Sequence, residues 1–213
     1  DKQILSHYNY ASYAKYDEEL YRFEQAKSAT YSSSDSPGQV WNGYYNSIAG
    51  VNYALQAADS IEHTSGATSS LNASRAEGLL VRAWDHFCLV NLFSQAYKDP
   101  ETSKKELGIP YITKPTDVVS PKVERPSVAE TYADIQKDLE AALPLVSDEN
   151  YTTAPKYHFN VNAAHAFAAR FYLYTRQWEK VIQQADLVLG TDSASLANMM
   201  LKYSVFSGCS SLS

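Results

Sequence analysis

The sequence predicts an all-α fold in which tetratricopeptide-like antiparallel helix pairs form an α-α superhelix with long irregular loops. Two observations lead to this prediction. Apolar residues recur at intervals of three and four almost everywhere from Trp41 onward, which is the period of a helix with one buried face. Prolines, glycines and serines interrupt that period over 98–126 and 144–159. The first of these segments is expected to be a long ordered loop or a small strand excursion, and the second an irregular polar loop.

Spacing and capping signals place five helices along the chain. Their predicted ranges are 40–61, 72–97, 127–143, 161–175 and from Trp178 to a stop at Gly190. Ser74 with Glu77, and Ser127 with Glu130, have the spacing of capping boxes for the second and third helices. Asn160 is the expected cap of the fourth helix.

The last two predicted helices form a hairpin with the spacing of a tetratricopeptide unit. Small Ala164 and Ala168 allow close approach of a neighbour, and large Phe171 and Trp178 fill the groove. One such unit cannot bury its own apolar face, so three or more pairs are expected to stack. The side chains predicted to be buried are Trp84, Phe87, Ile135, Leu139, Phe171, Trp178 and Ile182.

Composition excludes several classes of function. The 213 residues carry 18 Lys and Arg against 24 Asp and Glu, a net charge of -6 without a basic block, so no nucleic-acid partner is expected. The only cysteines, Cys88 and Cys209, form no metal-binding pair. No uninterrupted apolar stretch approaches the roughly 20 residues that a membrane-spanning helix needs.

No common catalytic signature occurs, and the sequence predicts no catalytic residues, no metal and no cofactor. The five histidines include no pair at i, i+4 spacing on a helix. Asp85 and His86 are neighbours, but side chains of helical neighbours point about 100° apart. A structural role is therefore expected for both.

Tyrosines crowd the first quarter of the chain, which holds nine of the seventeen. Tyr21, Arg22, Tyr31 and Asp35 lie around a serine-rich turn before Trp41. Aromatic faces with a guanidinium and a carboxylate are typical of carbohydrate recognition, which makes this segment a candidate binding rim. The alternative interpretation is a turn with ordinary packing tyrosines.

Four stretches carry a family resemblance in their order and spacing. They run from Trp41 to Asn52, from Ala76 to Phe93, from Arg125 to Leu139 and from Ala163 to Trp178, with a Gly108-Ile109-Pro110 turn between the second and third. In this order they resemble the SusD/RagB family, the nutrient-binding outer-membrane lipoproteins of glycan-uptake loci. The resemblance extends from about residue 38 to 208.

This resemblance implies a non-catalytic protein whose loops bind an oligosaccharide or another nutrient. It implies docking as a lid on a SusC-like TonB-dependent transporter barrel, at the cell surface of the outer membrane, with a lipid anchor in the full-length precursor. By region, it implies ligand-binding roles for Tyr21, Arg22, Tyr31 and Asp35. Scaffold roles are expected for the motif residues Trp41, Asn52, Arg82 and Arg125.

The resemblance also suggests how the chain is organised. A tyrosine-rich segment, 1–40, precedes a SusD-like helical-repeat domain, 41–190, and a tail, 191–213, in which the loop-rich second half of the family pattern is expected to begin. The apolar tail is expected either to fold back on the last two helices or to form a homodimer through that face. The alternative function is a tetratricopeptide-type adaptor that binds a protein partner in its helical groove.

Overall fold

A computed structural model describes residues 19, 21–24, 36–116, 118, 122–151, 157–192 and 194–195. The chain divides into two compact units, Asp1–Asn46 and Ser47–Ser213. The regular elements of the described part are all helices, and its only bridge is an isolated antiparallel contact between Leu107 and Ser127. The predicted all-α, tetratricopeptide-like fold class is confirmed. None of the helices in these ranges is both long and apolar enough to cross a bilayer.

Six α-helices and one 3₁₀ turn make up the described fold. They are α1 (Pro37–Ser65), α2 (Ser69–Phe93), α3 (Pro100–Ser103), α4 (Val128–Ala142), the 3₁₀ turn (Leu143–Leu145), α5 (Val161–Tyr174) and α6 (Trp178–Leu189). The five predicted helices correspond to α1, α2, α4, α5 and α6. The short helix α3 lies inside the segment that was expected to be a loop.

Two of the predicted caps hold the starts of α4 and α5. The Glu130 amide donates to Ser127 Oγ at 3.2 Å, and the Ser127 amide donates to a Glu130 carboxylate oxygen at 2.8 Å, which completes the capping box. At α5, Asn160 Oδ1 accepts the Ala163 amide at 2.8 Å. Gly190, at a φ of 75°, ends α6 as expected.

The predicted start of α2 was wrong. Thr68 caps the helix by accepting the Leu71 amide at 3.1 Å, so α2 begins before the Ser74 and Glu77 pair that the sequence suggested. The preceding turn, with Gly66 at a φ of 81°, delivers Thr68 in the extended conformation that a cap requires. Glu77 therefore does not cap α2. It lies inside the helix, and its carboxylate contacts Tyr151 and His158 of a distant loop.

Helix α2 lies at the centre of the second unit and packs most extensively against α4. The two helices are antiparallel, because Arg82 of α2 pairs with Asp138 while Tyr132, earlier in α4, bonds Asn91, later in α2. Helices α5 and α6 form the predicted hairpin. Ala164 and Ala168, the small residues of that hairpin, are completely buried.

Aromatic rings join α2, α4 and α5. The Phe87 ring lies 6.2 Å from Tyr132, 5.7 Å from Phe167 and 6.1 Å from Phe171, in edge-on arrangements. Burial is confirmed for Phe87, Ile135, Leu139 and Phe171.

The predicted burial of the α6 face was wrong. Trp178 is 57% exposed and Ile182 is 62% exposed, and no residue of α6 is buried. Trp84 is half-buried rather than buried. Hydrophobic period shows which side of a helix is apolar, but it does not show what covers that side. In the described part of the chain no further helix covers the outer face of α6.

The division into 1–40, 41–190 and 191–213 stays a prediction. Most of the first segment and most of the tail, including the apolar run 197–206, lie outside the described residues.

Candidate ligand-binding cleft

Two of the four predicted ligand-binding residues fall within the described residues. Tyr21 is 85% exposed, and Arg22 is exposed beside it. Tyr31 and Asp35 lie outside the described residues. The structure therefore presents the Tyr21 ring to solvent, but the four residues as a group stay a prediction.

The second unit contains a cleft of about 840 Å³ between α1 and α2. Its wall consists of three leucines, a proline, an alanine and seven polar or charged side chains. The lining residues are Asn52, Leu55, Gln56, Asp59, Arg75, Leu79, Arg82, Thr113, Lys114, Pro115, Ala141 and Leu145. We call it the polar cleft.

Helix geometry explains why these residues meet. The α1 residues of the lining, from Asn52 to Asp59, recur at intervals of three and four, and so do the α2 residues from Arg75 to Arg82, so each set lies on one helix face. Gly78 allows the two helices to approach: a Cβ there would lie 3.0 Å from Leu55 Cδ2.

A buried ion pair forms the inner end of the polar cleft. Arg82 Nε and Nη2 donate to the two carboxylate oxygens of Asp138 at 2.6 and 2.8 Å, and both side chains are only 9% exposed. Arg82 Nη1 also donates to Asn52 Oδ1 at 3.0 Å and to the Thr113 carbonyl at 3.2 Å. Burial lowers the pKa of Arg82, but the hydrogen bonds and charge of Asp138 raise it above its usual value. The guanidinium therefore stays charged.

The same network fastens the loop that closes the cleft. Asn52 Nδ2 donates to the Ile112 carbonyl at 3.0 Å, and the Tyr111 hydroxyl donates to Asp138 at 2.6 Å. Burial, and then the charge of Asp138, raise the pKa of Tyr111, so the hydroxyl keeps its proton. Residues 111–115 thus take their position from two helices that are distant in sequence.

His86 is a structural part of this network. Its ring stacks on Tyr111 at 3.9 Å, and its Nε2 accepts the Ile112 amide at 3.1 Å. Nδ1 lies 2.8 Å from the Arg82 carbonyl, an acceptor, so Nδ1 carries the proton. Burial lowers the pKa of His86 to about 4, which keeps the ring neutral.

The Gly108-Ile109-Pro110 turn seats the loop against the start of α4. Ile109 is completely buried, and Arg125 Nε donates to the Gly108 carbonyl at 2.7 Å. A Cβ on Gly108 would collide with Thr131 Oγ1 and with the Ser127 carbonyl oxygen. Asn52, Arg82 and Arg125 therefore hold structural bonds, in line with the scaffold roles expected for them.

Charged groups line the open rim of the polar cleft. Arg75 Nη2 lies 3.1 Å from Asp59 Oδ1 and 2.6 Å from Glu62 Oε2. Asp59 and Glu62 thus place two carboxylates around the Arg75 guanidinium at the rim. The described residues contain no group of three or more His, Cys, Asp or Glu side chains placed to hold a metal ion.

Sequence reasoning did not select Gln56, Asp59 or Arg75. The sequence did contain a sign of a cavity. These polar residues share helix faces with Leu55 and Leu79, whereas a helix face that is fully packed against a neighbour is apolar. The pairing of α1 with α2 was needed to show that the two faces enclose a cavity.

Comparisons with known proteins complete the description. Residues 3–173 match the SusD-like family described as starch-binding and associating with the outer membrane. A SusD superfamily protein from Bacteroides thetaiotaomicron is 28% identical at a TM-score of 0.57, over 72% of this chain and 32% of that one. One from Bacteroides vulgatus is 26% identical at a TM-score of 0.58, over 83% of this chain and 35% of that one.

A laminarin-binding SusD-like protein shares the fold at 23% identity and a TM-score of 0.57, over 73% of this chain and 30% of that one. A search of curated proteins found no significant match. The chain spans about a third of the length of the solved structures that it matches. Because the family match extends over most of its residues, the chain belongs to the SusD-like family.

Proposed function

We propose that this protein captures an oligosaccharide, or another nutrient, at the outer-membrane surface and delivers it unchanged to a SusC-like TonB-dependent transporter barrel. The observation that carries this proposal is the family match over residues 3–173, with its starch-binding and outer-membrane description. A lipid anchor in the full-length precursor would hold the protein at the cell surface.

The polar cleft is the first candidate place for the sugar. Its volume of about 840 Å³ suits a small ligand. A pyranose ring has an apolar C–H face and a rim of hydroxyls, which the leucines of the cleft and the side chains of Gln56, Asp59 and Arg75 complement.

The tyrosine-rich segment is the second candidate place. Tyr21 and Arg22, together with Tyr31 and Asp35, would supply an aromatic face, a guanidinium and a carboxylate to an oligosaccharide. The exposure of the Tyr21 ring supports this part of the proposal.

Calorimetry of the whole chain with maltoheptaose and laminarihexaose tests the function. We expect saturable binding of at least one sugar, with chromatography of the mixture showing that the sugar is unchanged after prolonged incubation. Lack of binding to a wider glycan array as well would refute the proposal.

Paired variants locate the site. Gln56→Trp fills the polar cleft, whereas Ala57→Trp places the same ring on an exposed neighbouring position of α1. Weakening by Gln56→Trp alone assigns the cleft, and weakening by Tyr21→Ala alone assigns the tyrosine-rich segment.

A protein adaptor is the alternative function, favoured by the exposed Trp178 and Ile182 on α6. In that case sugars would not bind, and Ile182→Glu would abolish binding of the protein partner.

A further inference from the structure

A second cavity lies on the opposite part of α2, where that helix meets α5. Its volume is about 320 Å³, and it is lined by Trp84, Phe159, Ala163, Ala166, Phe167 and Arg170. We call it the aromatic groove. It shares no residue with the polar cleft.

The walls of the groove are aromatic rings packed against one another. The Trp84 ring meets Phe167 edge-on, with centroids 5.2 Å apart and an interplanar angle of 81°, and Phe159 completes the set at 6.5 Å from Trp84. Phe167 is buried, whereas Trp84 and Phe159 are half-buried. Small Ala163 and Ala166 also line the groove, where their short side chains leave the space open.

A cation stands at the rim of the groove. The Arg170 guanidinium lies 5.8 Å from the centre of the Trp84 ring and is exposed. Its donors are therefore preorganised beside an aromatic wall and accessible from solvent. An exposed arginine beside an aromatic ring can bond a ligand hydroxyl while the uncovered part of the ring contacts the apolar face of the same ligand.

A fixed carboxylate lies on the same side of α2. Glu77 precedes Trp84 by seven residues, or two helical turns, so both project from one helix face about 10 Å apart along the axis. The Glu77 carboxylate lies 2.8 Å from His158 Nδ1 and accepts the Tyr151 hydroxyl at 3.2 Å. Tyr151 and His158 also stack, with ring centroids 4.5 Å apart.

We propose that the aromatic groove is an additional sugar-binding site that takes a neutral pyranose unit of an oligosaccharide. This inference rests on the proposed glycan-binding function. The C–H face of the ring lies on Trp84 and Phe159, and Arg170 donates to a hydroxyl at the rim. Glu77 accepts from a hydroxyl of the next unit along the chain. A phosphate or a nucleic acid is a poorer fit, because the single cation of the groove faces an acidic protein.

The test uses the whole chain titrated with maltoheptaose and laminarihexaose, observed by calorimetry and by the indole N–H signals of its three tryptophans in NMR spectra. Trp41→Phe and Trp178→Phe identify their own signals, and so that of Trp84. We expect the Trp84 signal to shift with the sugar that binds.

Two variants change the groove at exposed positions that leave the core intact. Ala166→Phe fills the groove, and we expect it to abolish the shift of the Trp84 signal. Arg170→Gln removes the guanidinium donor, and we expect binding in the groove to weaken about tenfold, the usual effect of losing a hydrogen bond to a charged group. The matched controls are Asn162→Phe, an exposed position of α5 outside the lining, and Arg176→Gln, an exposed arginine beyond that helix.

The outcomes separate this inference from the function on which it rests. If a sugar binds and the Trp84 signal is unmoved, or Ala166→Phe changes nothing, the groove proposal is wrong and the proposed function stands. If neither sugar nor any glycan of the array binds, both are refuted. A shift lost in Ala166→Phe and retained in Asn162→Phe establishes the groove as a site.

Discussion

Removal of the negative charge from Asp138 should destabilise the fold more than any change at a surface ion pair. The Asp138→Asn side chain keeps its shape but leaves the guanidinium of the buried Arg82 without a counter-charge. It also disturbs the bond from the Tyr111 hydroxyl. Breaking one partner of a buried pair costs about 3–5 kcal/mol, because the remaining charge is left desolvated. We expect the free energy of unfolding to fall by about that amount.

Urea unfolding followed by far-UV circular dichroism measures this loss. The matched control is Glu140→Gln, which neutralises the pair with Lys180, where the side chains are 43% and 41% exposed. Screening by solvent should limit the cost of that change to below about 1 kcal/mol. If Asp138→Asn costs no more than Glu140→Gln, the buried network does not hold the loop and the reasoning is refuted.

A double variant separates desolvation from attraction. Arg82→Met combined with Asp138→Leu removes both charges, so no uncompensated ion remains in the interior. We expect it to be more stable than Asp138→Asn alone, although Asn52 and Tyr111 lose partners. A double variant that is less stable than the single one would show that the other bonds of Arg82, to Asn52 and to the Thr113 carbonyl, outweigh the cost of leaving its charge without a counter-charge.

Three further predictions concern single positions. The pKa of His86 is about 4 in the folded chain against about 6.5 in the unfolded chain, so the unfolded state takes up the proton first as the pH falls. The free energy of unfolding should therefore decrease between pH 6.5 and 4, by at most about 3 kcal/mol. Urea titrations should show that this part of the pH dependence disappears in His86→Gln. Gly108→Ala should lower the free energy of unfolding by about 1–3 kcal/mol, because the added Cβ collides with the start of α4. Gly50→Ala is the control: its added Cβ would have no neighbouring atom within 4 Å, so this change inside α1 should raise stability by about 0.5–1 kcal/mol. Equal melting temperatures of the two variants would contradict the packing around the turn. Trp178→Ala should lower the free energy of unfolding by only about 1–2 kcal/mol, since Trp178 is 57% exposed, whereas Phe171→Ala should lower it by about 3–5 kcal/mol, because Phe171 is buried. Equal losses in chemical unfolding would mean that Trp178 is covered in solution.

Local interactions made the helices predictable. A capping box joins residues three apart, as in Ser127 and Glu130, and a helix face joins residues three and four apart, so a short window of sequence contains the whole signal. The start of α2 was missed because Ser74 and Glu77 have the spacing of a capping box, whereas Thr68 caps the helix in the structure. Thr68 takes this role because the preceding turn places it in the extended conformation.

The family resemblance was also readable from the sequence, because its motifs combine scaffold residues whose order is preserved along the chain. Arg82 and Asn52 were recognisable as motif residues. The bonds that join them were not predictable, because Asn52 lies 30 residues before Arg82 and Asp138 lies 56 residues after it, and nothing local links the three.

Tertiary structure alone decided the cavities and the exposed faces. The polar cleft exists because α1 and α2 turn mixed polar and apolar faces toward each other, and the aromatic groove exists because α5 places alanines opposite Trp84. The exposure of Trp178 likewise depends on which elements pack against α6. By itself, the sequence determined where helices form and which side of each is apolar, since those properties arise from neighbours along one helix. Which faces meet, and what space they leave, depends on contacts between residues far apart in the chain, and no local pattern encodes them.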